Sequence, residues 1–223
     1  MPMTHVLRWS ARKMLGHGWM YRVPRYYERT IDLIFGATRR AAFQDLLHGP
    51  YPIASATVVV DLACGTGITS IWLATNIPRA RIIGIDASSR MLNAARRRAA
   101  RLGLSDRCVF LQRDATTVSL NDLPVDRPVD LVTCSLGYSV FPDWQAVFAN
   151  TTKLLAPAGC YVVFDQYIED LYVADFAADQ TRRTWERVEQ TFERAETRWY
   201  GDCFLAVGMH PRSLPTNSPV DPR

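Results

Sequence analysis

The stretch V58-V-V-D-L-A-C-G-T-G-I-T-S70 decides the fold. An apolar, β-branched run ends in an acid, Asp61. A loop bearing Gly65 and Gly67 follows, and then a helical pattern that Pro78 stops. Strand, glycine loop and helix in that order are how an open α/β sheet receives a nucleotide-like ligand beyond the carboxyl end of its first strand. Glycines there let the backbone approach closely and adopt left-handed dihedrals. The loop is not built for a pyrophosphate. A dinucleotide loop needs a third glycine where Ser70 stands, and a phosphate loop needs a Gly-Lys-Ser/Thr ending that is missing. Asp61 argues further against both, because a carboxylate at the strand end repels phosphate. The same carboxylate suits a ligand carrying an ammonium group.

Outward from this loop the chain alternates between two textures. Short β-branched runs occur at 57–62, 81–86, 108–112, 129–134 and 160–165, with helical patterns between them. The segment S88-S-R-M-L-N-A-A-R-R-R-A-A-R-L-G103 starts on serine and ends on glycine, as a capped helix does. Strands alternating with helices indicate right-handed βαβ units and a parallel sheet covered on both faces. Residues 166–194 read as mostly helical. Gly201-Asp202, between two aromatic or apolar runs, signals a closing hairpin at the sheet edge. The Pro- and Ser-rich tail, 211–223, is expected to be disordered.

Two more acids follow the pattern. Asp86 ends the second strand, 21 residues after Gly65, where a carboxylate can accept from ribose hydroxyls. Asp114 follows the third strand in F110-L-Q-R-D-A-T116, where it can accept from an exocyclic adenine amine.

D61-L-A-C-G-T-G67, G84-I-D-A-S88 and Q112-R-D-A-T116, in that order, resemble the cofactor motifs of class I S-adenosylmethionine-dependent methyltransferases. L154-L-A-P-A-G-C-Y-V-V-F-D165 resembles the family's segment through its fifth strand, with Ala158 in place of a usual glycine. Ala63 likewise replaces a frequent glycine, a variant seen in the ubiquinone/menaquinone-biosynthesis-like branch. The resemblance covers about residues 55–165. It implies a Rossmann-like, doubly wound α/β fold with a mainly parallel seven-stranded sheet. Residues 1–50 would form an N-terminal helical cap and 51–210 the cofactor-binding domain. It further implies that Asp61, Ala63, Gly65 and Gly67 hold the amino-acid end of S-adenosylmethionine. Asp86 and Ala87 would hold the ribose, Asp114 and Ala115 the adenine, and Ser135 would lie near the sulfonium, with S-adenosylhomocysteine as product.

The acceptor is read from the loops. C134-S-L-G-Y-S-V-F-P-D-W144 lacks the Asn/Asp-Pro-Pro-aromatic sequence of enzymes that methylate bases, so nucleic acid is not the expected partner. The basic run A95-R-R-R-A-A-R101 reads as a solvated helix face, since Ser88, Leu92, Ala95, Ala99 and Leu102 line up as its apolar side. The loop resembles those of small-molecule and lipid-headgroup enzymes, with betaine-lipid N-methyltransferases nearest. Tyr138, Phe141 and Trp144 would wall a site for a cationic amine, or they pack the following helix. Tyr138, Asp143 and Asp165 are the candidates for orienting the acceptor, and Tyr21, Tyr26, Tyr27 and Tyr167 for lining its site. His5, His17, His48 and His210 are isolated, and the lack of an evident base favours methylation of an amine nitrogen. No acid cluster predicts a metal.

The charge is uneven. Residues 1–40 carry eight basic residues against two acidic, a net +6, which leaves −2 for the remainder of a chain of net +4. This arm would cover the cofactor as helices or lie on an anionic membrane surface. Gly16, Gly18 and Pro24 favour the folded cap. No apolar run approaches the roughly 20 residues that cross a bilayer. Without a basic-then-apolar leader, the expected location is cytoplasmic. Five cysteines with no C-x-x-C spacing read as reduced, buried thiols. A monomer or homodimer is expected. A protein of this fold that binds the cofactor without transferring methyl is the rival outside the enzymes.

Overall fold

The computed structural model describes residues 24–167 and 183–212. Tyr21, the tail beyond 212 and most of the basic arm lie outside the described residues. The described chain opens with α1 (Pro24–His48), whose leading proline has the fixed φ a first helical turn favours. The strands and helices then alternate: β1 (Val58–Leu62), α2 (Ile68–Asn76), β2 (Arg81–Asp86), α3 (Ser89–Arg101), β3 (Cys108–Gln112) and β4 (Val129–Ser135). After these come α4 (Trp144–Thr151), β5 (Leu155–Gln166), α5 (Thr184–Thr191), β6 (Phe192–Tyr200) and β7 (Cys203–Pro211).

The seven strands form one sheet in the order β3-β2-β1-β4-β5-β7-β6. Strands β1 to β5 pair parallel, and β7 runs antiparallel to both of its neighbours. This is the expected mainly parallel, doubly wound sheet, and Gly201-Asp202 makes the expected hairpin, with Gly201 at a φ of 65°. Residues 192–194 depart from the helical reading. They are the start of β6, where Phe192 packs into the core while its neighbours face out.

The two faces of the sheet bury separate cores. Val59, Ile82, Leu131 and Val162 pack with α1, α2 and α3. Val60, Ile83, Val132 and Val163 point the other way, toward α4 and α5. The continuous apolar runs of β1 and β2 arise because both faces are covered. All five cysteines are buried, as small hydrophobes. In α1 the buried face runs through Ile31, Phe35, Ala42, Phe43 and Leu46, and this clamps the helix across the carboxyl end of β1. Strand order reverses between β1 and β4, and the crevice at that switch is where such sheets bind ligands. Among the described residues, no helix is long and apolar enough to cross a membrane.

Candidate active site

Two connected spaces open at the switch point. The inner one is a small chamber walled by Asp61, Ala63, Gly65, Thr66, Ser135 and, from α1, Tyr27 and Arg39. The outer one is a cleft of about 790 Å³ bordered by Asp86, Ala87, Asp114, Ala115, Phe141 and Asp143, among others. Tyr27, Ala63, Gly65 and Leu136 face both. The sharp turns out of β1 and β4 that shape this site store backbone strain. Ala63 and Leu136, both non-glycine, sit at positive φ, 48° and 58°, each at a cost of about 1–3 kcal/mol. Gly67 caps α2 at a φ of 77° with its amide on the Cys64 carbonyl at 2.8 Å. A Cβ there would come within 3.0 Å of Ala95.

Asp61 is fully buried. One carboxylate oxygen accepts from Ser70 Oγ at 2.5 Å, and the other has no hydrogen-bond partner. Burial pushes its pKa up to about 7, against the lowering effect of Ser70 and with a small addition from Asp86. The Thr66 and Ser135 hydroxyls, on the same chamber wall, are also buried without partners. Buried polar atoms without partners are rare in folded proteins and call for an explanation. Here three converge on one space, together with the buried residue Arg39. Burial lowers the Arg39 pKa, and its ion pair to Asp32 is long at 3.3 Å.

Further out, Asp86 uses one oxygen to accept the Gly65 amide at 2.9 Å and the other to accept the Ser88 amide at 2.8 Å. The second strand's acid therefore also fixes the glycine loop. Its pKa is raised by burial, and those two amides partly offset the shift. Asp114 closes an Asx turn with one oxygen, accepting from Thr116 N at 2.8 Å and Thr116 Oγ1 at 2.7 Å. These bonds hold its pKa low. Asp143 caps α4 through Ala146 N at 2.9 Å.

The structure separates the acceptor-side candidates. Phe141, Asp143 and Tyr27 line the open spaces. Tyr138 does not. It is completely buried, its hydroxyl bonded to Tyr161 at 2.5 Å, and Tyr161 is bonded to Thr151 at 2.7 Å. Asp165 is buried as well. It accepts the Ser139 and Gln166 amides at 2.9 and 2.8 Å, and burial raises its pKa to about 6. It braces the loop after β4 from beneath. Trp144 stacks edge-on against Tyr138 within that core. Tyr167 joins Trp185 and Trp199 in an aromatic cluster by the β6–β7 hairpin, and Tyr26 is 62% exposed. Of the expected aromatic wall only Phe141 lines the cleft, with Tyr27 from α1 also bordering it, because the loop's other aromatics are consumed in packing α4.

Three neighbours of the site were not singled out from sequence. Ser70 was noted only as a missing glycine, yet it is the residue that pins Asp61. Arg39 lies 22 residues before Asp61 in no motif, and only the packing of α1 brings it in. Met91 lines the cleft from α3, and it lies outside the apolar face read for that helix.

The donor set fits an amino acid joined to a nucleoside. An unpaired carboxylate oxygen, two unpaired hydroxyls and the Arg39 guanidinium face the inner chamber, and strand-end acids face the outer cleft. In sheet order and motifs the chain is similar to the class I S-adenosylmethionine-dependent methyltransferases. Residues 59–159 match a family model described as a methyltransferase domain. Over 146 residues the chain is 34% identical to a demethylmenaquinone methyltransferase of Thermus thermophilus, covering 64% of this chain and 61% of the relative. It is 30% identical, also over 146 residues, to a trans-aconitate 2-methyltransferase of Escherichia coli, covering 65% and 53%. The chain therefore spans between half and two thirds of these relatives. An O-methyltransferase family protein from Burkholderia thailandensis superposes with a TM-score of 0.65 at 17% identity, over 85% of this chain and 60% of that one. A methyltransferase from Aquifex aeolicus gives 0.58 at 16%, over 76% and 89%. At such identities these two likenesses speak for the fold.

Proposed function

We propose that this chain transfers a methyl group from S-adenosylmethionine to a small-molecule acceptor, most simply an amine nitrogen. The observation that carries the reading is the convergence of the unpaired Asp61, Thr66 and Ser135 oxygens on the chamber beside Gly65. Asp61 would face the ammonium of the methionine moiety and Arg39 its carboxylate. Asp86 and Ala87 would hold the ribose, and Asp114 and Ala115 the adenine. When bound, the cofactor supplies a methyl carbon activated by its sulfonium. The protein's own work is alignment of the nucleophile and exclusion of water.

Tyr27, Val140, Phe141 and Pro142 border the cleft with apolar surface, which suits an acceptor with an apolar body. The carboxylates of the cleft, Asp86, Asp114 and Asp143, all hold backbone amides. Such acids serve as fixed acceptors rather than proton carriers, and a neutral amine needs no proton removed before attack. That supports an amine nitrogen over the demethylmenaquinone and trans-aconitate named for the two relatives.

Calorimetry with S-adenosylmethionine, followed by incubation with soluble amines, carboxylic acids, quinols and anionic vesicles bearing amine headgroups, tests the proposal. The expected result is binding, with S-adenosylhomocysteine formed from soluble amines. Turnover only on the vesicles would move the acceptor to a lipid headgroup. Binding without turnover would make the chain a non-transferring cofactor protein, and no binding would overturn the reading.

A further inference from the structure

A second cavity lies on the far side of α2 from the chamber. It occupies about 660 Å³ between α1, α2 and α3, within the size range of small-molecule sites. Its floor is apolar: Phe43 and Trp72, edge-to-face at 5.0 Å, with Ile71 and Leu102. Leu102 was expected on the buried face of α3 but is 56% exposed, because it opens onto this groove.

The rim is cationic. Arg39, Arg40, Arg98 and Arg101 line the groove against one lining carboxylate, Asp32, a local balance of +3. Asp32 is shared by Arg39 and Arg40 at 3.3 Å each. Arg98 is held by Glu28 at 2.7 Å, and Arg101 pairs with no carboxylate among the described residues. The run 95–101 is thus more than a solvated face, since two of its arginines border a concave apolar floor.

An aromatic floor under a cationic rim matches a ligand with the converse pattern. We infer that this groove binds a free anionic amphiphile, a small molecule with an apolar body and a carboxylate or sulfonate, at a site separate from the cofactor chamber. The anion seats at Arg40 and Arg101, and the apolar body lies on Phe43, Trp72 and Leu102. Arginine suits this role because its planar fork can pair with a carboxylate through two hydrogen bonds. Arg39, Ile68 and Thr69 form the wall common to groove and chamber, so the test uses residues that touch only the groove.

The probe is 8-anilinonaphthalene-1-sulfonate, titrated by fluorescence into the whole chain with and without saturating S-adenosylhomocysteine. The expected result is saturable one-to-one binding in both conditions, displaced by decanoate but not by decanol. Arg40→Glu with Arg101→Glu should weaken probe binding more than about tenfold. The corresponding double lysine variant keeps the charge but loses the fork, and should fall between, about three- to tenfold weaker. Both side chains are on the surface, and an unchanged circular-dichroism melt checks that the variants fold; single Arg101→Glu serves if the double variant does not. Non-saturable binding, equal displacement by decanol, undiminished binding after charge reversal, or displacement by S-adenosylhomocysteine would each overturn the inference. The titration without S-adenosylhomocysteine keeps this result independent of the proposed methyl transfer.

Discussion

Replacing Asp61 with asparagine should stabilise the ligand-free protein at alkaline pH while weakening its grip on the cofactor. Burial penalises the charged form of Asp61 and pushes its pKa from the ordinary 3.8 up to about 7 in the folded chain. Its contribution to stability is fully present below the unfolded value and is lost as pH rises through the folded one. Linkage between those two values gives a loss of about 3 kcal/mol from about pH 5 to about pH 8. The same sign applies to Asp165, raised to about 6, and to Asp86. The informative quantity is therefore the difference between wild type and Asp61→Asn. The variant keeps an oxygen to accept from Ser70 and does not titrate. Urea unfolding under reducing conditions, followed by circular dichroism, should show the two stability profiles diverging by about 3 kcal/mol across that range. Calorimetry should show S-adenosylmethionine affinity falling by roughly 10- to 100-fold in the variant, the scale of a lost hydrogen bond between charged groups. Wild-type affinity should also rise with pH through about 7, where Asp61 ionises, and the variant's should not. Parallel stability profiles would refute the argument that an uncompensated carboxylate is buried here. Unchanged affinity would remove Asp61 from the cofactor site.

Asp86→Ala should release the Gly65 amide as well as remove a ribose acceptor, weakening cofactor binding by about 1–3 kcal/mol by calorimetry; unchanged affinity would remove Asp86 from the site. Tyr138→Phe should cost about 1 kcal/mol of stability through the lost Tyr138–Tyr161 bond, with kcat intact. A large fall in kcat with normal stability would return Tyr138 to the acceptor site. Ala63→Gly should relieve the left-handed strain at a φ of 48° and raise the urea midpoint by the equivalent of about 1 kcal/mol; a lowered midpoint would show that the turn is unstrained. Gly67→Ala should do the opposite, because its new Cβ meets Ala95 at 3.0 Å in a conformation that disfavours side chains. Its unfolding midpoint and cofactor affinity should fall together.

Much of this was legible from residue order because the signals are local. Alternating β-branched and helical runs report burial on both faces of a sheet. Glycines after the first strand report dihedrals that few other residues adopt cheaply. Acids at 61, 86 and 114 fall at strand ends simply because strands end there. Reading side chains across elements was harder. Tyr138, Trp144 and Asp165 stand where acceptor residues would be sought, and each was turned inward by packing under α4 and the β4 loop. A one-dimensional pattern gives an aromatic's position but not which side of a turn it takes.

The sequence alone determined the sheet-and-helix order, the switch-point loop, and an acid at the end of the first strand, where a phosphate loop would have none. Those follow from backbone constraints and periodicity, which act over a few residues. Tertiary structure decided the rest. It made Ser70 the partner of Asp61, brought Arg39 from a distant helix into the chamber, and left half of the Asp61 carboxylate unpaired. It also turned a run of arginines into the rim of a groove. Each of these depends on how helices lie across the sheet, which is settled by the packing of two cores rather than by any single stretch of chain.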